Sequence, residues 1–147
     1  MSDLTDLYQE VILDHYKRPR NHGPLEGADH EADGYNPLCG DRVKILLRFD
    51  GERVADVHFE GVGCAISTAS ASLMTEAVKG CTREEVEEIF SRFHEMLTSE
   101  APDDADLGKL QVFAGVREYP VRVKCATLAW HTLRAAIDEP ASKVTTE

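Results

Sequence analysis

The hydrophobic pattern of the chain changes its period at Gly63, and this change constrains the fold more than any other feature. Before it, apolar and polar residues alternate over residues 42–49, which is typical of a half-buried strand. Asp50-Gly51 predicts a tight hairpin turn, and residues 54–60 predict the returning strand. After Gly63, residues 64–79 form a helical pattern that is rich in Ala, Ser and Thr. Small side chains let a helix approach a sheet closely, so we expect this helix to be buried.

The remaining segments complete an α+β fold, in which a small three-stranded antiparallel sheet is covered by helices. A weaker pattern over residues 26–36 predicts the third strand, and an acidic loop is expected near residues 98–106. We predict one domain over residues 1–140, followed by a flexible tail over 141–147. Further helices are predicted at about residues 3–17, from a capping box at Thr82 to Leu97, at 107–115, and from Cys125 to Ile137.

Composition excludes several classes of function. The chain of 147 residues carries 27 acidic and 16 basic residues, for a net charge of −11. This balance argues against binding to nucleic acid. No stretch is long and apolar enough for a membrane span, and the acidic N-terminus does not resemble a signal peptide. We therefore expect a cytoplasmic protein, whose four cysteines are reduced and serve metal binding or catalysis.

Three cysteines and an aspartate are the candidate metal ligands: Cys39, Asp41, Cys64 and Cys125. Thiolate and carboxylate groups are both good zinc ligands, and four of them complete a tetrahedron. The spacing is not that of a zinc finger, because the ligands come from three distant segments. Spacing alone leaves a zinc or iron site and buried structural thiols both open. Their position at loop or helix boundaries favours the metal site.

Other residues near these ligands carry weaker signals. Lys124 and Arg122 precede Cys125 at the predicted start of a helix, where cations would favour the thiolate. Cys81 has no candidate partner nearby, so we interpret it as a structural or incidental thiol. The six histidines are interpreted as solvated or core residues.

At the level of motifs, the chain resembles the IscU-like family of iron–sulfur cluster assembly proteins, and within it the SufU type. The resemblance covers about residues 4–139. It is carried by YQEVILDHY (8–16), PRN (19–21), NPLCGD (36–41), GVGCAISTASAS (61–72) and RVKCATL (122–128).

This resemblance implies a three-stranded antiparallel sheet and a site formed by Cys39, Asp41, Cys64 and Cys125. It also implies a PLP-dependent cysteine desulfurase of the SufS type as sulfur donor, and further cluster-assembly proteins downstream. The expected activity is that of a zinc-dependent sulfurtransferase, in which Cys39 accepts the sulfur because its glycine-flanked loop is free to move. The alternative is a scaffold that assembles and transfers a [2Fe–2S] cluster.

Two departures from scaffold-type members favour the zinc-dependent type. Scaffold members carry a histidine immediately before the third cysteine, where this chain has Lys124. They also carry a Leu-Pro-Pro-Val-Lys chaperone-recognition motif, which the stretch Glu118-Tyr119-Pro120-Val121-Arg122 does not match. The long segment between Cys64 and Cys125 resembles the insertion of the SufU type. The expected cofactor is therefore Zn²⁺, with Lys124 and Arg122 adjusting the charge of the thiolates.

Overall fold

A computed structural model describes residues 3–98, 105–138 and 143–145. Most of the predicted acidic loop lies outside these residues. The elements follow the order α1 (Asp3–Lys17), β1 (His30–Asn36), β2 (Asp41–Asp50), β3 (Arg53–Val62), α2 (Ala65–Val78), α3 (Arg83–Thr98), a 3₁₀ segment (Ala105–Glu118) broken at Gly108, α4 (Pro120–Asp138) and β4 (Lys143–Thr145). None of the described helices has the length and apolar character that crossing a membrane would require.

The sheet has the order β3-β2-β1-β4. β1, β2 and β3 are antiparallel to their neighbours, which confirms the predicted three-stranded arrangement. The weak pattern at residues 26–36 contains a strand from His30 to Asn36. A fourth strand was not predicted. β4 pairs parallel to β1 and lies within the segment that we expected to be a flexible tail. β4 pairs with Asp33–Tyr35 of β1, so β1 has a partner strand on each side over these residues.

The edge at β3 is also covered by the chain itself. Phe59 donates its N–H to the Asn21 carbonyl and accepts from the Gly23 N–H, at 3.0 Å and 2.9 Å. The segment between α1 and β1 therefore pairs with this edge over a single residue, His22. One outer strand, β3, is thus paired in part by the segment that precedes β1, and the other outer strand is the three-residue β4.

α2 and α4 pack against the buried face of the sheet. Close approach is possible because the facing residues are small: a Cβ on Gly34 would lie 2.0 Å from Thr132 Oγ1 on α4. Ser70 of α2 connects the two helices, because it donates to the Ala126 carbonyl and accepts the indole N–H of Trp130 at 3.2 Å. The predicted small-residue helix is confirmed as buried.

The last helix begins earlier than the sequence pattern suggested. α4 starts at Pro120, whereas Tyr119-Pro120 was expected to interrupt the chain and Cys125 to open the helix. Proline is favoured in the first turn of a helix, because its missing N–H would have no partner there and its fixed φ suits the helix. Cys125 consequently lies in the second turn of α4, and the argument from a helix N-terminus does not apply to it.

A buried histidine joins α1 to α2. His15 is 1 % exposed, its Nδ1 lies 2.7 Å from Ser72 Oγ, and its Nε2 lies 3.6 Å from the Glu76 carboxylate. Ser72 Oγ also accepts the N–H of Arg20 at 2.9 Å, so its own proton is available for His15. Burial, with help from Arg20 and Lys109, lowers the pKa of His15 below the ordinary 6.5, while Glu76 and Asp14 oppose this shift.

We predict that His15 makes the fold less stable at mildly acidic pH. Because the folded state lowers its pKa, the unfolded chain binds more protons below about pH 6.5, and stability falls as the pH is lowered through that value. His15→Gln removes this titration and keeps an amide for Ser72, so its melting temperature should fall less between neutral pH and about pH 5. His22→Gln, at an exposed histidine, is the control. Equal pH dependence in His15→Gln and the parent would contradict the assignment.

Candidate metal centre

Cys39 lies in the tight loop that joins β1 to β2. Asn36 and Asp41 face each other as the last pair of that hairpin, and the loop between them carries Cys39 in an exposed position. Gly40 adopts a φ of 75° and donates its N–H to the Asn36 carbonyl at 2.8 Å. The predicted glycine-flanked loop is confirmed, and its ends are fixed by the sheet.

Asp41 connects this hairpin to the start of α2. Although it is 2 % exposed, its Oδ1 accepts the backbone N–H of Cys64 at 3.0 Å, and its Oδ2 lies 3.7 Å from Cys64 Sγ. Gly63 makes this approach possible, because a Cβ there would lie 3.2 Å from Asp41 Oδ1. Cys64 is the N-cap of α2, and its sulfur accepts the Ser67 N–H at 3.4 Å. The predicted helix-start position of Cys64 is therefore confirmed.

Cys125 reaches the same region from α4. Its side chain is buried, and its Sγ lies 3.2 Å from Cys39 Sγ. One ligand atom each from Cys39, Asp41 and Cys125 lies within 4.8 Å of the others. Cys64 is not a member of this group of three, but its sulfur borders the group through Asp41. The structure thus brings all four predicted ligands to one end of the sheet, three of them in mutual proximity.

The thiols of Cys64 and Cys125 influence each other. A hydrogen bond from the Cys125 thiol, together with the Ser67 N–H, lowers the pKa of Cys64 from 9.0 to about 7, although burial and Asp41 oppose the shift. The same hydrogen bond to Cys64, together with burial, raises the pKa of Cys125. Of the two thiols, Cys64 is therefore the one that ionises more readily.

The distances and donor set suit a tetrahedral thiophilic metal. Zn–S bonds of about 2.3 Å separate two ligand sulfurs by about 3.8 Å in a tetrahedron. The Cys39–Cys125 sulfur distance of 3.2 Å is shorter than this value and requires a small separation of two side chains, one of them on a loop. Cys64 Sγ lies 3.7 Å from Asp41 Oδ2, within reach of a shared metal ion. Three sulfurs and one carboxylate oxygen form the donor set of a tetrahedral Zn²⁺ site, for which Cys64 would have to approach the group of Cys39, Asp41 and Cys125.

The two predicted cations and the fourth cysteine lie outside these contacts. Arg122 is exposed and stacks over the Tyr119 ring, 4.8 Å from its centroid. Among the hydrogen bonds and ion pairs of the described residues, none joins Lys124 or Arg122 to a sulfur, so their effect on the thiolates remains a prediction. Cys81 donates to the Ala77 carbonyl at 3.5 Å, and burial raises its pKa. These contacts agree with a structural thiol.

Asn36 is a residue of the centre that the motif analysis did not select. Its amide nitrogen lies 3.5 Å from Cys39 Sγ and 3.9 Å from Cys125 Sγ. A signal was available, because Ala32, Gly34 and Asn36 are the buried positions of β1. The period of two along that strand places a polar amide on the same face as the core, where a buried amide needs hydrogen-bond partners.

Comparison with known proteins agrees with this geometry. Residues 7–126 match the family model described as the NifU-like N terminal domain. The chain is 43% identical to the iron–sulfur cluster assembly scaffold protein IscU of Streptococcus pyogenes over 97% of this chain and 89% of that protein. It is 44% identical to the zinc-dependent sulfurtransferase SufU of Bacillus subtilis over 92% of each.

Solved structures give the same result for the fold. A candidate SUF-system iron–sulfur cluster scaffold from Fervidobacterium islandicum is 41% identical and superposes with a TM-score of 0.82, over 87% of this chain and 94% of the other. The resemblance inferred from the motifs is thereby confirmed. The chain belongs to the NifU-like N-terminal domain family, alongside the IscU and SufU proteins of iron–sulfur cluster assembly.

Proposed function

We propose that this protein is a zinc-dependent sulfur acceptor that takes sulfur from a PLP-dependent cysteine desulfurase for iron–sulfur cluster assembly. The observation that carries the proposal is the convergence of two exposed thiols, one buried thiol and a buried carboxylate at one end of the sheet. The similarity to a protein named as a zinc-dependent sulfurtransferase supports it. Lys124, in the position before the third cysteine, also supports the zinc-dependent type over the scaffold.

Cys39, Asp41, Cys64 and Cys125 would hold the zinc. When bound, Zn²⁺ supplies positive charge that keeps the sulfurs deprotonated and protects them from oxidation. The protein already provides donors for this negative charge, since the Ser67 N–H faces the Cys64 sulfur and the Asn36 amide faces Cys39. The N-terminus of α2 adds a favourable dipole at Cys64.

Cys39 is the proposed acceptor because its exposed thiol lies on the β1–β2 loop. Cys64 is also exposed, but it caps α2 and its sulfur is held by the Ser67 N–H, while Cys125 is buried in a helix. The Cys39 thiolate attacks the terminal sulfur of a persulfide on the donor enzyme. A new S–S bond forms at Cys39, the donor's S–S bond breaks, and the donor cysteine leaves as a thiolate. The proton of the persulfide remains on the transferred sulfur, so the step needs no oxidant or reductant.

The surface around the centre suits a protein donor. Leu38 is 60 % exposed, and Val62 is 78 % exposed; they precede Cys39 and Cys64 along the chain. Tyr119 and Val121, at the start of α4, are half exposed. Isolated exposed apolar residues are common, but a group that flanks a reactive thiol is typical of an interface. We propose that the desulfurase covers these residues when it delivers sulfur to Cys39.

The second candidate is a scaffold for a [2Fe–2S] cluster, which the similarity to the S. pyogenes protein favours. Cysteine thiolates are the usual ligands of such clusters. Protein purified under anaerobic conditions distinguishes the two candidates. Stoichiometric zinc and a colourless solution agree with the sulfur acceptor, whereas iron with acid-labile sulfide would favour the scaffold.

Removal of zinc should lower the stability of the protein without abolishing its fold. The ligands come from three segments, so a bound metal would link the β1–β2 hairpin to α2 and α4. The hydrophobic core is formed by other residues and does not depend on the metal. At a zinc concentration about 1,000-fold above Kd, binding contributes roughly 4 kcal/mol, or on the order of 10 °C in melting temperature for a domain of this size. Calorimetry before and after chelation, with zinc content measured, checks this. An unchanged melting curve after verified removal would count against the site.

Replacement of single cysteines should identify the sulfur acceptor. Cys39→Ser should accept no sulfur from the desulfurase, because no nucleophilic thiol remains on the exposed loop. Cys64→Ser and Cys125→Ser should first lose zinc. Cys81→Ser should behave like the parent, because the Cys81 thiol donates to the Ala77 carbonyl rather than to a proposed ligand. Mass spectrometry after incubation with desulfurase and cysteine detects the added sulfur. If the parent carries that sulfur on Cys64 or Cys125 while Cys39 is unmodified, the assignment is wrong.

A further inference from the structure

Asn36 occupies the centre of the hydrogen-bond network at the cysteine site. It is fully buried, with 0 % of its surface exposed. Its Oδ1 accepts the N–H of Leu38 at 3.1 Å, and its backbone carbonyl accepts the N–H of Gly40. Its Nδ2 approaches Cys39 Sγ and Cys125 Sγ. One side chain therefore contacts the loop backbone with its oxygen and two sulfurs with its nitrogen.

The two halves of this amide have different tasks. Closing the hairpin loop requires only an acceptor, which Oδ1 provides to Leu38. The Nδ2 group carries two protons, and the hydrogen bonds that the structure assigns to it lead to sulfur alone. A residue that served the loop alone would have no need of a buried donor between two thiols. Hydrogen bonds from N–H groups favour the thiolate and direct the sulfur lone pairs.

We propose that Asn36 is a positioning residue for the metal centre. Its amide protons hold the sulfurs of Cys39 and Cys125, which come from the loop and from α4, in one orientation toward a shared metal ion. They also offset part of the negative charge that the thiolates bring together. This inference rests on the proposed zinc site, but it does not depend on sulfur transfer.

Asn36→Asp separates the two tasks. The aspartate keeps an oxygen for the Leu38 N–H and has nearly the same shape, but it loses both donors and places a carboxylate beside the sulfurs. Removal of a residue that orients metal ligands typically lowers metal affinity by roughly 10- to 100-fold, and we expect a loss in this range. The measurement is a competition titration of the metal-free protein with zinc alone and a chromophoric chelator.

Asn21→Asp is the matched control. Asn21 is also partly buried, and its amide donates to Thr75 Oγ1 at 2.9 Å rather than to a sulfur. The same substitution at that site should leave zinc affinity unchanged. If Asn36→Asp binds zinc within about twofold of the parent, well short of the expected loss, Asn36 does not position the ligands.

A second variant keeps the test decisive if a buried carboxylate prevents folding. Asn36→Leu has a similar size and no charge, and it removes the two donors together with the Oδ1 acceptor of the Leu38 N–H. A loss of zinc affinity shared by Asn36→Leu and Asn36→Asp therefore reports the donors, which are the groups that both variants lack. Cobalt(II) substitution gives a further readout, because the thiolate-to-cobalt charge-transfer band depends on how the sulfurs are oriented. We expect weaker zinc binding and a changed band in Asn36→Leu. Parent-like affinity with a parent-like band would overturn the proposal.

These measurements distinguish this inference from the proposed function. Zinc affinity and the cobalt spectrum are recorded without a desulfurase. A parent protein that binds zinc but accepts no sulfur would refute the sulfur-acceptor function and leave the role of Asn36 intact. The melting temperature of each metal-free variant is also measured. If Asn36 had only a structural role, its replacement would lower this melting temperature but leave the zinc affinity of the folded protein unchanged.

Discussion

The close packing of α2 against α4 is the constraint on which the rest of the structure depends. The Ser70 hydroxyl accepts a hydrogen bond from the Trp130 indole N–H and donates one to the Ala126 carbonyl. These two bonds fix the distance between the helices at this point. Cys125 directly precedes Ala126, and Cys64 caps the helix that carries Ser70. A larger residue at this crossing would separate the helices and with them two of the sulfurs. The small side chains of α2 therefore affect the relative position of Cys64 and Cys125 as well as the packing of the core.

The hairpin between β1 and β2 supplies the other half of the centre. Its last pair consists of two buried polar residues, Asn36 and Asp41. Asn36 faces Cys39 and Cys125, while Asp41 accepts the backbone N–H of Cys64. A donor and an acceptor side by side on the same pair of strands thus connect all three cysteines to the sheet. Burial of polar groups is tolerated because each has partners.

Sequence patterns predicted the parts of the fold that depend on local periodicity. The strands on either side of Asp50-Gly51, the small-residue helix and the capping position of Cys64 all follow from neighbours within a few residues. The start of α4 was missed because proline ends one element as readily as it begins another. β4 and the contact of Asn36 with Cys125 were missed because their partners lie far away in sequence. The four candidate ligands were identified from their chemistry and from the family motifs, but their distances required the fold.

The edges of the sheet also bear on how copies of this protein meet. An open strand edge presents unpaired N–H and C=O groups that another chain can extend into a continuous sheet. Here the segment around His22 bonds to β3 at Phe59, and the other outer strand, β4, comprises three residues. Short or partly paired edge strands offer little backbone for edge-to-edge growth. Three cysteines at one end of the sheet are therefore less prone to meet those of another copy through sheet extension than through contacts between side chains.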